Sequence, residues 1–355
     1  MNGDNTNLEN KQFKVENIPP TFDPYHSLKK FPIEELWRFF IPNYNHKKAE
    51  SILSNNLSER VHSGHIVKKC YLERMLNTFN FVLENRATEL NINFINELHW
   101  HATSRLIHNT QYNPETHMPE QGGKFRTREE EIFKLTPENT TRDGIQEIAM
   151  HIKEKAKLNI HFDIKGQEKH HKDVHSHSQA TSILHHSAAY IHAAITDQWK
   201  EYEVTFHSKV NPQKLPDIMN DYIHQYSSAI KMQTDSTLKI KCIVSFIRDC
   251  EQLHPYSDGN TRVFATLLLN HLLMQNHFPP TILDYPHNFK AHSTLELIHD
   301  VKKGIARTLI LIQTGHANEF SEVDTQTVLE REDAKKFYME MLKTNVPALF
   351  NERAP

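Results

Sequence analysis

Cysteine is nearly absent: the chain has three in 355 residues. Cys242 and Cys250 fall in what reads as one helix, about 12 Å apart along its axis, which is beyond the reach of a disulfide. A chain without a cystine framework is the kind expected in a reducing compartment. Glycine is also scarce, at nine residues. That disfavours turn-rich folds, fits a helical protein, and makes each glycine informative. Long apolar runs are missing too. The longest, Ala265 to Met274, is broken by Asn270 and His271 and falls well short of the ~20 residues a membrane span requires. Positive charge is not in excess: 41 Lys and Arg stand against 44 Asp and Glu, for a net charge of -3. This excludes nucleic-acid binding that rests on a broad basic surface, though not a local basic pocket. The opening Met1-Asn2-Gly3-Asp4 lacks the basic-then-apolar pattern of a secretory signal. The expectations are therefore a cytoplasmic protein, no nucleic-acid partner and no membrane span.

What the chain does contain is helical periodicity. Leu72, Met75, Leu76, Phe79, Val82 and Leu83 make one stripe, and Phe94, Ile95, Leu98 and Ala102 another. In the segment Thr237 to Leu253, Ile240, Ile243, Val244, Ile247 and Cys250 trace a single face. Val263 to Asn276 is apolar almost all round, the mark of a central buried helix. The one candidate for strand structure is Lys124 to Leu135, where partial alternation at Phe125, Ile132 and Phe133 follows Gly122-Gly123 and suggests a short hairpin. The fold class expected is all-α with a small β-hairpin flap. Along the chain this reads as a mobile arm over 1–25, an N-terminal helical extension over 26–69, a core over 70–315 and a C-terminal helix within 316–355. Inside the core, residues 159–186 gather His161, His170, His171, His175, His177, His185 and His186 in a polar stretch. This reads as an inserted connector, since His-rich composition without cysteine is only a hint of metal binding.

The chemistry concentrates in His254-Pro255-Tyr256-Ser257-Asp258-Gly259-Asn260-Thr261-Arg262, which joins two apolar helices. The free N–H groups at the start of a helix carry the positive end of its dipole and form a ready anion site. Gly259 lets the backbone curl around an anion, and Arg262 can clamp phosphate oxygens. Asp258 is a hard oxygen ligand suited to Mg²⁺ shared with phosphates. His254 can take a proton from an incoming hydroxyl. Taken singly, each of these residues has an ordinary structural explanation. As an ordered set between two buried helices they point to attack on phosphorus.

This loop resembles the Fic signature, HxFx(D/E)GNGRxxR. His254, Asp258, Gly259, Asn260 and Arg262 match in register, and Tyr256 stands for the Phe. Further matches are Glu97-Leu98-His99, Gly123-Lys124-Phe125-Arg126-Thr127, Leu267-Leu268-Leu269-Asn270 and Pro279-Pro280. The resemblance implies a Fic-type helical core that transfers AMP from ATP, with Mg²⁺, to a Ser, Thr or Tyr hydroxyl of a target protein. In that reading His254 is the catalytic base and Asp258 holds the metal. Gly259, Asn260, Thr261 and Arg262 bind the nucleotide phosphates. Glu129, Glu130, Glu131, Ile132 and Phe133 form the flap that docks the target by strand addition.

Two positions depart from the pattern. Thr261 replaces the second Gly, and Ala265 replaces the final Arg. The family's inhibitory pattern also lacks a good match, since neither Asn80 to Asn85 nor the surroundings of Glu59 fit it. The departures leave open transfer of phosphate or another phosphate-linked group from a different donor, or a catalytically inactive binding module. Members of this family also serve as effectors secreted into a host cell, an alternative location that the resemblance allows.

Overall fold

The computed structural model describes residues 18–19, 21–42, 59–62, 65–68, 71–103, 122–154, 159–166, 202–317, 320 and 332–350. Most of the arm over 1–25, the histidines from 170 to 186 and a helix expected over Ala188 to Trp199 lie outside these residues. What is described is mostly helical, and its core is one continuous apolar cluster. Helices α1 (Pro24–Leu28), α2 (Tyr71–Glu84) and α3 (Ile92–Thr103) come first, then α4 (Arg142–Glu154) and α5 (Leu215–Lys231). After these come α6 (Ser236–Leu253), α7 (Leu269–Gln275), α8 (Thr294–Thr314) and α9 (Glu332–Asn345). No helix among the described residues is long and apolar enough to cross a membrane.

The stripes read from sequence face inward. All six apolar residues of the α2 stripe are buried, as are the five of the α6 stripe. Asp235 opens α6, its carboxylate accepting the Leu238 N–H at 2.8 Å, the ordinary way a short acid satisfies an orphan donor. Ser293 and Glu296 form a capping box at the start of α8. The apolar segment after the signature loop is the buried centre, packed by α3 and α6. Its first part, Arg262–Leu268, is a π-helix that continues into α7. The Thr266 hydroxyl donates to the Thr261 carbonyl five residues back. Wide turns of this kind recur at functional sites.

The all-α expectation is corrected by two small antiparallel sheets. Strands β1 (Glu59–His62) and β2 (His65–Lys68) form a hairpin inside a stretch whose pattern reads as helical. Strands β3 (Glu130–Leu135), β4 (Asn159–Gly166) and β5 (Tyr202–Lys209) form a sheet in the order β3-β5-β4. The flap hairpin over Lys124 to Leu135 is not formed. Only β3 is extended there, and its partner is β5, with Glu131 opposite Ser208 and Phe133 opposite Phe206. The residues before β3 cannot supply a return strand, because Arg126 commits that segment to the signature loop. β4 occupies the opening of the stretch read as a polar connector. There Ile160, Phe162 and Ile164 alternate with polar neighbours and pair along β5.

Candidate active site

Helix α6 ends at His254, whose backbone is left-handed (φ 52°, ψ 58°). A non-glycine residue in this region is strained, and the strain turns the chain sharply into the loop. The His254 Nδ1 lies 3.2 Å from the Glu251 carbonyl. A carbonyl only accepts, so the proton sits on Nδ1 and Nε2 is the basic nitrogen. Burial, with Lys290 and Arg126 as nearby cations, pushes the imidazole down to about 3. It is therefore neutral at any physiological pH, with the Nε2 lone pair free of a proton.

Three devices hold the loop. The Asn260 amide is spent on Tyr256, accepting its N–H at 3.1 Å and donating to its carbonyl at 2.6 Å. Tyr256 is wholly buried, with its hydroxyl on Asn96 at 2.7 Å. Its ring stacks on His99 at 3.8 Å between centroids. His99 accepts the Gly123 N–H on Nδ1 at 2.8 Å, so its Nε2–H donates to the Asp258 carbonyl at 2.9 Å. Burial pushes His99 down to about 4, which preserves this neutral pattern. The third device is Arg126, almost fully buried. It donates to the carbonyls of His254 (3.0 Å), Ser208 (3.2 Å) and Arg128, while its own N–H meets the Pro255 carbonyl at 2.9 Å. Ser208 in turn donates to the Leu253 carbonyl at 2.8 Å. The sheet that carries β3 is thereby fastened to the end of α6 beside the base.

The anion-binding side has a definite geometry. Gly259 adopts φ +80°, and its carbonyl accepts from Val263 N at 2.9 Å. This makes Asn260, Thr261 and Arg262 the first helical turn, whose N–H groups a helix cannot pair internally. The Asp258 carboxylate takes the Gly259 N–H at 2.6 Å on one oxygen and the Arg262 guanidinium at 2.8 Å on the other. Both side chains are partly exposed. Among the described residues no cluster of three His, Cys, Asp or Glu could cage a cation by itself. One carboxylate at the mouth fits a Mg²⁺ ion held jointly with donor phosphates, the usual arrangement for that ion.

The structure gathers His254, Asp258, Gly259, Asn260, Thr261 and Arg262 in one loop. The Asn260 side-chain amide is taken up in holding the loop through Tyr256. Glu129 is exposed beside the site sheet, its carbonyl accepting Val210 N–H at 2.8 Å. Glu130, Glu131, Ile132 and Phe133 lie on β3. Ala265 is wholly buried. With Phe39, Phe40 and Leu283 it lines a cavity of about 10 Å³. Sequence reasoning missed Glu251 and His287, and it singled out Arg126 only within the matched segment Gly123 to Thr127, without its role in holding the loop. Glu251 had a signal: it continues the apolar stripe of α6 four residues after Ile247, where a carboxylate must be buried.

Fold and loop together define a mostly helical protein with a Fic-like signature opening its central helix. Over 110 residues, 31% of this chain, it is 38% identical to the "Phosphocholine transferase AnkX" of Legionella pneumophila subsp. pneumophila. The match spans only 12% of that relative's length. No family model matches the chain.

Proposed function

We propose that this chain is a Fic-type transferase that moves phosphocholine from a nucleotide-linked donor, CDP-choline, to a hydroxyl side chain of a target protein. The observation that carries the reading is the neutral imidazole of His254, its Nδ1 tied to the Glu251 carbonyl, set beside a helix start and Arg262. A hydroxyl oxygen of the target attacks the phosphorus that bears choline. His254 Nε2 takes the hydroxyl proton. The bond from that phosphorus to the bridging oxygen breaks, and the nucleoside monophosphate leaves with the electron pair, needing no proton. Arg262 and the first-turn N–H groups stabilise the charge that builds on the phosphates. Asp258 would hold Mg²⁺, which supplies charge neutralisation on the diphosphate when bound. The partial likeness to a phosphocholine transferase favours phosphocholine over AMP as the transferred group, and Thr261 and Ala265 point away from the AMP-transferring pattern.

The same loop supports AMP transfer from ATP as the second reading, because the His254, Asp258 and Arg262 set is intact. Intact-mass analysis of target proteins after incubation with CDP-choline or ATP, Mg²⁺ and cell lysate separates the two. A phosphocholine increment with CDP-choline, abolished by His254→Ala, is expected. An AMP increment with ATP alone would replace phosphocholine by the second reading. No adduct with either donor would remove both.

A further inference from the structure

Position 261 carries a hydroxyl where the signature it resembles has glycine, and that hydroxyl is fully engaged. Thr261 Oγ1 bonds the Glu251 carboxyl and lies 3.3 Å from His287 Nδ1. Glu251 has no exposed surface, and its other oxygen has no hydrogen-bond partner. Thr261 is therefore a main source of hydrogen bonding to a wholly buried acid, which is costly to leave unmet. A hydroxyl that donates to a carboxylate can only accept from an imidazole. While the Thr261 hydroxyl donates to Glu251 Oε1, His287 carries its proton on Nδ1, which leaves Nε2 as the accepting nitrogen. His287 is exposed on the short 3₁₀ turn Pro286–Lys290, beside the first turn of the signature helix. Glu251 thus reaches two imidazoles: its backbone carbonyl fixes His254, and its side chain fixes His287 through Thr261. Burial pushes the Glu251 carboxyl up, with Lys290 and Thr261 opposing, as expected of an acid that depends on this one hydroxyl.

We propose that Thr261, held from beneath by Glu251, is a specificity-determining residue that orients His287 to accept a hydrogen bond from the nucleotide part of the donor. Glu251 is a positioning residue in this arrangement. The inference rests on the reading of the loop as a site for a phosphate-linked donor. It gives the glycine replacement a use: the larger residue is turned away from the phosphates and builds a wall that glycine cannot.

The test uses the full chain with CDP-choline and ATP as probes. Thr261→Ser keeps the hydroxyl and is expected to leave donor KM within about threefold. Thr261→Val and His287→Ala are each expected to raise donor KM about tenfold with kcat within about threefold, the signature of lost binding rather than lost chemistry. Nitrogen NMR of the His287 ring should show one tautomer in the native chain and in Thr261→Ser, and a mixture in Thr261→Val. Unfolding of Glu251→Gln, Thr261→Val and the double variant should be non-additive. Equal donor KM for Thr261→Ser and Thr261→Val, or an unchanged KM in His287→Ala, would overturn the proposal while leaving the transferase reading intact. Additive stabilities with an unchanged His287 tautomer would overturn it too. A native chain that calorimetry shows to bind neither donor would overturn the transferase reading first. The tautomer and stability measurements would then still report separately on the Glu251–Thr261–His287 contacts.

Discussion

Gly259→Ala tests how tightly the loop is built, because two separable costs can be read from the geometry. The first is backbone strain. At φ +80° a residue with a Cβ is in the left-handed region, at about 1–2 kcal/mol. The second is steric. The new methyl would stand 2.6 Å from Thr103 Cγ2, well inside the ~3.5–4.0 Å at which carbons rest. Thr103 cannot turn away freely, since its hydroxyl donates to the His99 carbonyl at 2.6 Å. Overpacking of this kind costs about 1–3 kcal/mol. The total expected is about 2–5 kcal/mol, read as a lower urea midpoint at unchanged m-value. Thr103→Ala removes the offending methyl but not the strained φ. In that background Gly259→Ala should cost only about 1–2 kcal/mol. His99 Nε2 lies 3.6 Å from the same Cβ and holds Asp258, so donor affinity should fall in Gly259→Ala and partly recover in the double variant. A cost under about 0.5 kcal/mol, or the same cost with and without Thr103, would refute the close packing of Gly259 against α3.

Arg126→Leu strips the guanidinium from the carbonyls of His254 and Ser208. The expected loss is about 2–4 kcal/mol, with faster amide exchange over residues 254–262, and unchanged exchange there would count against Arg126 as a fastener of the loop. Ala265→Arg restores the last arginine of the Fic signature yet should not bring AMP transfer. It would bury an unpaired cation against Phe39 and Phe40 at about 3–5 kcal/mol, checked by unfolding and by transfer from ATP. Acid should destabilise the fold through His99 and His271, both pushed down from 6.5 to about 4 by burial. Between pH 6.5 and about 4 the unfolded chain binds protons that the folded one refuses. Stability is therefore full above about pH 6.5 and falls as pH drops, by up to about 1.4 kcal/mol per pH unit for each histidine. His271 has neither ring nitrogen hydrogen-bonded and packs tilted against Phe94 at 4.5 Å between centroids, so His271→Leu should shallow that slope. An equally steep slope in the variant would mean that His271 does not contribute.

Helices α2, α3 and α6 were legible because each announces itself within one or two turns, whereas α1 begins inside the segment expected as a mobile arm and α8 was not anticipated. The α6 stripe from Ile240 to Cys250 and the apolar run after Arg262 needed no knowledge of distant residues. The loop between them was legible for the same reason: its base, carboxylate, glycine and arginine fall in one short segment. Strand pairing is different, since a strand's partner is set by the whole fold. β3 could be recognised as extended but not as the neighbour of β5, which arrives about seventy residues later. β4 carried a local signal, the alternation of Ile160, Phe162 and Ile164, and the surrounding histidines drew attention away from it.

The site residues divide along the same line. His254 and Arg262 could be singled out by their own types and positions in the loop. Arg126 and His99 bond residues far along the chain, and Glu251 meets Thr261 only because the loop turns back on α6, which no local pattern states. That non-local geometry changes the meaning of the two departures from the signature. Read along the chain, Thr261 and Ala265 are two departures that leave the donor open. In space, the Thr261 hydroxyl is turned down onto Glu251 and across to His287, and Ala265 is sunk among Phe39, Phe40 and Leu283. A π-helical turn carries position 265 into the core, and an arginine placed there would face phenylalanine instead of phosphate. Neither departure therefore removes a group from around Asp258 and Arg262. In the proposed reading, Thr261 alters the wall beside the site through Glu251 and His287, and a change of donor would be accommodated there.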